Sequence, residues 1–265
     1  MSSKFYQFMK RWVSAREPSR NDTFLALQPT NLEPYFDSQS NQFQGVFFKS
    51  FIYYNDLDLP HLFEECLMNI AYWHCHHRAI RTIVPIQAKS IIQPKLLTDL
   101  EDLLIQSELP VGLISFAIQG SMLCSWRDLE NALDRLNRLG VRLELYGLSG
   151  CDKEFDYLDS ELFEAAHISL SLMRAAHLDL QSRELLDQVL DACEVNILHT
   201  YCGGITLVHD FIFAKNNGIE YCYGPLMMPA VSKHQILHIK ESQFAKMPLT
   251  TTPSLNTQDG DPDEH

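Results

Sequence analysis

The stretch Arg142–Gly150, RLELYGLSG, reads as a buried strand that stops abruptly in a tight turn. Leu143 and Leu145 supply the apolar residues, and the turn between Gly147 and Gly150 ends the run. In barrels built from parallel strands, chemistry sits where the strands stop. The only charge this strand end offers is Glu144, beside Leu145 and Tyr146. The fold and the function both turn on what surrounds that single carboxylate.

Working outward, short apolar and β-branched runs recur from Thr23 to about His238: TFLAL, GVFFKSFIYY, IRTIVPI, VGLISFAI, VRLELY, HISLSL, VNILHTY and IEYCY. Helical patterns lie between them. Pro60 precedes Leu62, Phe63, Cys66, Leu67 and Ile70. Trp126, Leu129, Leu133 and Leu136 form a stripe that stops at Leu139–Gly140. Leu185, Leu186, Val189 and Leu190 repeat the spacing, and Asn217–Gly218 closes a further helix. Strands alternating with helices imply a parallel sheet covered by helices, and eight such runs imply a (β/α)8 barrel of the TIM-like α/β class. The first two runs have no helix between them, which predicts an irregular antiparallel first strand. No G-x-G-x-x-G follows the first strand, so a dinucleotide-binding sheet is disfavoured.

The flanks differ in composition. Residues 1–22 comprise an amphipathic basic arm, MSSKFYQFMKRWVSAR, and a Pro18-containing linker, residues 23–238 the barrel, and residues 239–265 a polar acidic tail expected to be disordered. Phe5, Phe8, Met9 and Trp12 share one helical face of the arm, with Lys4, Lys10 and Arg11 on the others, as suits docking to a partner or a membrane surface. Packing against the chain's own barrel is the plainer alternative. The 265 residues carry a net charge of −13, a field that repels phosphate backbones and argues against nucleic acid as a partner. Seven cysteines without C-x-x-C spacing, no secretory signal pattern and no membrane-length apolar run predict a reduced, cytoplasmic protein, with peripheral membrane association through the arm as an option.

The order of landmarks resembles the EAL domain, a barrel whose active members hydrolyse cyclic di-GMP with two divalent metals. The likeness covers residues 23–232. Gln28–Pro29 matches the family's opening Gln-Pro pair, Gly45 the glycine before the Glu-Ala-Leu signature, Gly140 the glycine before the Asp-Asp-Phe-Gly strand, and Gly218, Tyr223–Gly224 and Pro229 the closing pattern. Measured against that pattern, the chain is degenerate. The signature glutamate falls on Phe47, followed by Phe48 and Lys49, and the arginine beyond falls on Phe51. The third-strand asparagine falls near Pro85. The Glu-x-Thr-Glu stretch falls on Phe116 to Gln119, and the paired aspartates on Glu144 and Leu145. Lys-Ile-Asp falls on Ser169 to Ser171, and Ala-Glu-Gly-Val-Glu on Cys202 to Thr206.

Two cations about 3.5–4 Å apart need several carboxylates. With Glu144 the one acidic strand-end residue, the resemblance implies no catalytic residues, no metal and no cofactor. Phe47, Phe51, Phe116, Ile118 and Leu145 are expected to fill former polar positions of the mouth. The remnant cleft would keep Gln28, Pro29, Gln119, Glu144, Thr206, Tyr223 and Pro229 as ligand contacts, with Lys49 the one nearby cation. That set argues against cyclic di-GMP binding. The function implied is regulation through protein–protein contact, with a non-hydrolysing cyclic di-GMP receptor as the alternative and an active phosphodiesterase or another enzyme on the same barrel as weaker ones. A homodimer is allowed, since such barrels often pair near the Asp-Asp-Phe-Gly loop. WHCHHR, Trp73–Arg78, offers His74, Cys75 and His77 as metal-like ligands too few for zinc. Cys202 with His199 or His209 is a formal nucleophile pair that lacks an oxyanion element.

Overall fold

A computed structural model describes residues 32–49, 56, 59–119 and 125–239. Eight strands close into a barrel in sequence order: β1 (Leu32–Asp37), β2 (Phe43–Phe48), β3 (Arg81–Gln87), β4 (Ile114–Gln119), β5 (Arg142–Leu148), β6 (Ala165–Ile168), β7 (His199–Cys202) and β8 (Tyr221–Tyr223). β1 runs antiparallel to both neighbours, β2 and β8, and shifts register between Tyr35 and Phe36; the remaining pairs are parallel. The expected barrel with an irregular antiparallel start is therefore present.

The opening strand is not the one the apolar pattern suggests. TFLAL and Gln28–Pro29 lie outside the described residues, and the barrel opens with LEPYFD instead. Pro34 is tolerated because the β8 ladder reaches only Tyr35, opposite Tyr223, so the missing N–H forfeits no bond on that side. Strand limits shift elsewhere too. HISLSL divides into the end of β6 and a helix, because the Ser169 hydroxyl accepts from Leu172 N and caps it.

The helices are α1 (Leu59–Cys75), α2 (Ala88–Ile91), α3 (Pro94–Ser107), α4 (Trp126–Arg138), α5 (Asp152–Leu158), α6 (Leu170–Leu178), α7 (Leu180–Val195), α8 (Val208–Asn216) and α9 (Lys233–Ile236). α4 shows why they form. Leu129, Ala132, Leu133 and Leu136 bury one stripe, Asp128 sits in the first turn, and Arg135 and Arg138 in the last, matching the helix dipole. Gly140, at φ +85°, lets its own N–H reach Asn137 O and turns the chain into β5.

Strand side chains alternate between two cores. The outer core, between strands and helices, holds Val46, Phe48, Val84, Phe116, Ile118, Leu143, Leu145, Ile168 and Cys202. The inner one, inside the barrel, holds Tyr35, Phe47, Ile83, Ala117, Ala165, Tyr201 and Tyr223, with Tyr146 and Tyr221 packed on it. Aromatic rings this large fit inside only because glycine faces them. A Cβ on Gly203 would lie 2.2–2.4 Å from the Tyr223 ring, and one on Gly45 would lie 2.6 Å from Tyr35.

This alternation corrects the expected filling of the mouth. Phe47 does point inward, but Phe116, Ile118 and Leu145 point outward; Phe116, for one, meets Phe63 of α1 edge-on at 5.3 Å. Their neighbours Ala117, Gln119, Glu144 and Tyr146 take the inward places. Phe51 lies outside the described residues.

Candidate functional site

The C-terminal ends of β2–β8 and the N-terminal end of the reversed β1 form one face of the barrel, where this architecture places its sites. Phe47, fully buried, occupies its centre. Its ring stacks on Tyr223 at 4.7 Å and on Tyr146 at 5.7 Å, and lies 6.1 Å from His167. His167 in turn stacks on Tyr201 at 4.7 Å, and Tyr201 meets Tyr35 edge-on at 5.4 Å. The hydroxyls of Tyr146 and Tyr223 are hydrogen-bonded to each other, as are those of Tyr35 and Tyr201. The result is a continuous aromatic plug that satisfies its own polar tips.

Two carboxylates face this plug. Glu144, 4% exposed, lies 2.6 Å from His167 Nε2, while His167 Nδ1 lies 3.3 Å from the Tyr223 hydroxyl. Glu33, also 4% exposed, accepts from Lys49 Nζ at 2.7 Å. The apolar pattern points to TFLAL as the opening strand and so does not bring Glu33 of β1 to this face. Glu144 is therefore not the single acidic residue of this face. His167 was likewise missed: Ser169 had been assigned the lysine's place, but Ser169 caps α6, and the basic side chain that β6 aims inward is His167. The alternation Ala165–His167, once the strand limits are known, would have exposed it.

Burial pushes the phenols of Tyr35, Tyr201 and Tyr223 upward. The Glu144 carboxylate adds to the rise of Tyr35, neighbouring Tyr35 and Glu144 to that of Tyr201, and Tyr146 and Glu33 to that of Tyr223. These tyrosines are neutral hydrogen-bonding groups at ordinary pH, not bases.

A further ion pair ties α6 to α8. Arg174 of α6 donates to Asp210 Oδ2 from Nε at 3.1 Å and from Nη2 at 2.7 Å, and to Thr206 Oγ1 at 3.2 Å. Its guanidinium is held above its ordinary range first by the Asp210 hydrogen bonds.

Of the expected ligand contacts, Glu144 and Tyr223 meet inside the plug through His167. Gln119 ends β4 opposite Tyr146 and Gln87, and its Oε1 is buried with no hydrogen-bond partner among the described residues. Thr206 holds Arg174, and Pro229 is exposed beyond β8. Gln28, Pro29 and the arm residues Phe5, Phe8, Met9 and Trp12 lie outside the described residues.

The residues present do not fit a pair of divalent ions. Both carboxylates are engaged by basic side chains of the chain itself, an aromatic ring stands between them, and no group of three His, Cys, Asp or Glu that could hold a metal occurs among the described residues. WHCHHR offers no alternative. α1 ends at Cys75, and His77 sits in the following turn at φ +57°, so His74 and His77 do not share a helical face. Cys202 faces the outer core, where burial pushes its thiol to about 12, and His199 is exposed at the opposite strand end, paired with Glu220. That pair is no nucleophile–base couple.

A closed barrel of eight strands, with β1 reversed and a site at the parallel strand ends, defines an EAL-type α/β barrel. The sequence profile of the EAL domain family matches residues 47–230, and the chain belongs to that family. Solved structures with the same fold include the EAL domain of Mycobacterium smegmatis DcpA, 12% identical, covering 79% of this chain and 95% of that one with a TM-score of 0.66. The phosphodiesterase PaMucR in complex with c-di-GMP is 11% identical, with 88% and 99% covered and a TM-score of 0.66. The Xanthomonas citri FimX EAL domain in complex with c-di-GMP is 12% identical, with 86% and 96% covered and a TM-score of 0.63. No curated protein sequence matches the chain.

Proposed function

We propose that this chain is a degenerate, catalytically inactive EAL domain that regulates a signalling process through protein–protein contact. One observation carries the reading. Phe47, which by resemblance takes the place of the signature glutamate, is buried between Tyr146 and Tyr223 where a metal-bound substrate would have to react. Hydrolysis by two metals needs carboxylates that are free to coordinate, and both carboxylates here already hold a base. No cofactor is required. The arm within residues 1–22, through Phe5, Phe8, Met9 and Trp12, is the proposed contact with a protein partner or a membrane surface, and pairing of two copies is compatible with the reading. A cytoplasmic location is part of the reading; no helix among the described residues is long and apolar enough to cross a membrane. An assay for cyclic di-GMP hydrolysis with magnesium or manganese tests the proposal: turnover above the metal-only blank refutes it. Recovery of partners by the full chain and by a chain lacking residues 1–16 then assigns the contact to arm or barrel.

A second reading, a receptor that binds cyclic di-GMP without cleaving it, is favoured by two features. Gln119 Oε1 is a buried acceptor with no hydrogen-bond partner among the described residues. Relatives of the same fold hold c-di-GMP in their solved structures. The plug and the net charge of −13 oppose it. A ligand bound only by the native state raises the melting temperature, so an unchanged melting curve at saturating cyclic di-GMP removes this reading.

A further inference from the structure

The two carboxylates of the mouth come from different parts of the barrel, yet they are treated alike. Glu33 on β1 takes a proton donor from the end of β2, Lys49 Nζ at 2.7 Å. Glu144 on β5 takes one from β6, His167 Nε2 at 2.6 Å. Phe47 stands between the two pairs: it is the register partner of Glu33, and its ring lies 6.1 Å from that of His167. Each carboxylate is almost fully buried, so each needs a partner; a buried acid left alone is strongly unfavourable. A cation from solvent could serve as that partner, but an N–H group fixed to the same barrel already occupies the approach.

We propose that Lys49 and His167 are built-in counter-groups that close Glu33 and Glu144 to divalent metal ions and make the barrel's mouth self-sufficient without them. The inference rests on the non-catalytic reading and extends it, because it names what holds the two carboxylates. It requires two strand-to-strand pairs rather than the simple loss of ligands. A chain that had only lost ligands would leave the carboxylates of its mouth open to any cation. Here each of these carboxylates is held by a base. His167 meets Glu144 directly through Nε2. Its other nitrogen faces the Tyr223 hydroxyl, and stacking on Tyr201 fixes the ring plane, so the imidazole cannot swing aside without opening the aromatic plug.

The test uses Mn2+ alone as the probe and the full chain throughout. Free Mn2+ is followed by electron paramagnetic resonance, and the melting temperature is measured with and without millimolar Mn2+. Surface carboxylates also bind Mn2+ weakly, so the reading is a difference between variants. The wild-type chain and E33Q/E144Q should bind Mn2+ equally and show equal melting shifts. K49M/H167A should bind it more tightly than the wild type by on the order of tenfold or more, since removing a positive group beside a divalent ion is worth at least that much even in a watery site. Its melting temperature should rise on adding Mn2+. Equal binding by K49M/H167A and the wild type overturns the proposal. So does wild-type binding that E33Q/E144Q abolishes, and this comparison stands even where K49M/H167A does not fold, because Glu→Gln keeps the shape. Wild-type Mn2+ binding that E33Q/E144Q abolishes, without hydrolysis, sinks this inference alone, whereas hydrolysis sinks the non-catalytic reading.

Discussion

Replacing Phe47 by alanine removes the centre of the plug, and its cost follows from the contacts. The side chain is completely buried. Returning a ring of that size to water is worth about 1.5–3 kcal/mol. Its stacked contacts with Tyr223 at 4.7 Å and Tyr146 at 5.7 Å add about 0.5–1.5 kcal/mol each. Large-to-small changes of this kind cost about 3–5 kcal/mol in tightly packed cores. The hole left here is lined partly by hydroxyl and imidazole groups able to hold water, so the lower part of that range, about 3–4 kcal/mol, is expected. For a domain of this size that corresponds to a fall in melting temperature of about 6–16 °C. Urea unfolding provides the measurement: the midpoint should fall while the slope stays constant. Ile105→Ala, at an exposed site on α3, serves as the reference and should change stability by less than about 0.5 kcal/mol. A loss below about 1 kcal/mol for Phe47→Ala would refute the plug, because a side chain lining an open cleft can be trimmed at almost no cost.

Two further outcomes follow from the same interior. Gly203→Ala drives a methyl group into the Tyr223 ring, which stacks on Phe47 and cannot retreat; a loss of about 1–3 kcal/mol in urea unfolding is expected, and a neutral result would mean that β7 and β8 have room to part. Titration with alkali should divide the tyrosines into two classes. Tyr35, Tyr201 and Tyr223 have phenols raised by burial above the ordinary value of about 10. Their neutral form is the one the fold favours, so their contribution is intact below about pH 10 and is lost as the pH rises from there towards the raised folded values. Tyrosinate absorbance from these three should appear only together with loss of circular dichroism, and full ionisation of an intact fold would contradict their burial.

The architecture was legible because the alternation of strands and helices survives in the apolar pattern. Gly140 and Gly218, with φ of +85° and +78°, mark helix ends that a sequence can announce. The first strand was misread for a physical reason: LEPYFD carries two acids and a proline, whereas TFLAL looks more like a strand yet lies outside the described residues. Which side each residue faced was harder still. Strands buried on both faces show no polar alternation, so Phe116, Ile118 and Leu145 could not be sorted from Phe47 by composition. Glu144 was found because it is conspicuous in an apolar run. Its partner His167 is 23 residues away, and Lys49 is 16 residues from Glu33. Such pairings exist only once strand limits and register are fixed, and a sequence states neither.

The reversed direction of β1 has a consequence for the chain that precedes it. In a barrel whose first strand ran with the others, the polypeptide would enter at the far end, away from the mouth. Here Leu32 lies at the mouth, bridged to Val231 and opposite Phe48. Whatever comes before it is tethered to the rim, and the 20 residues from Trp12 to Leu32 reach no further than about 70 Å. A flexible tether of that length holds its cargo near the rim at an effective concentration of about a millimolar. A partner captured by the segment before Leu32 would therefore be delivered to the plugged face of the barrel, and could read that face with contacts too weak to hold it alone.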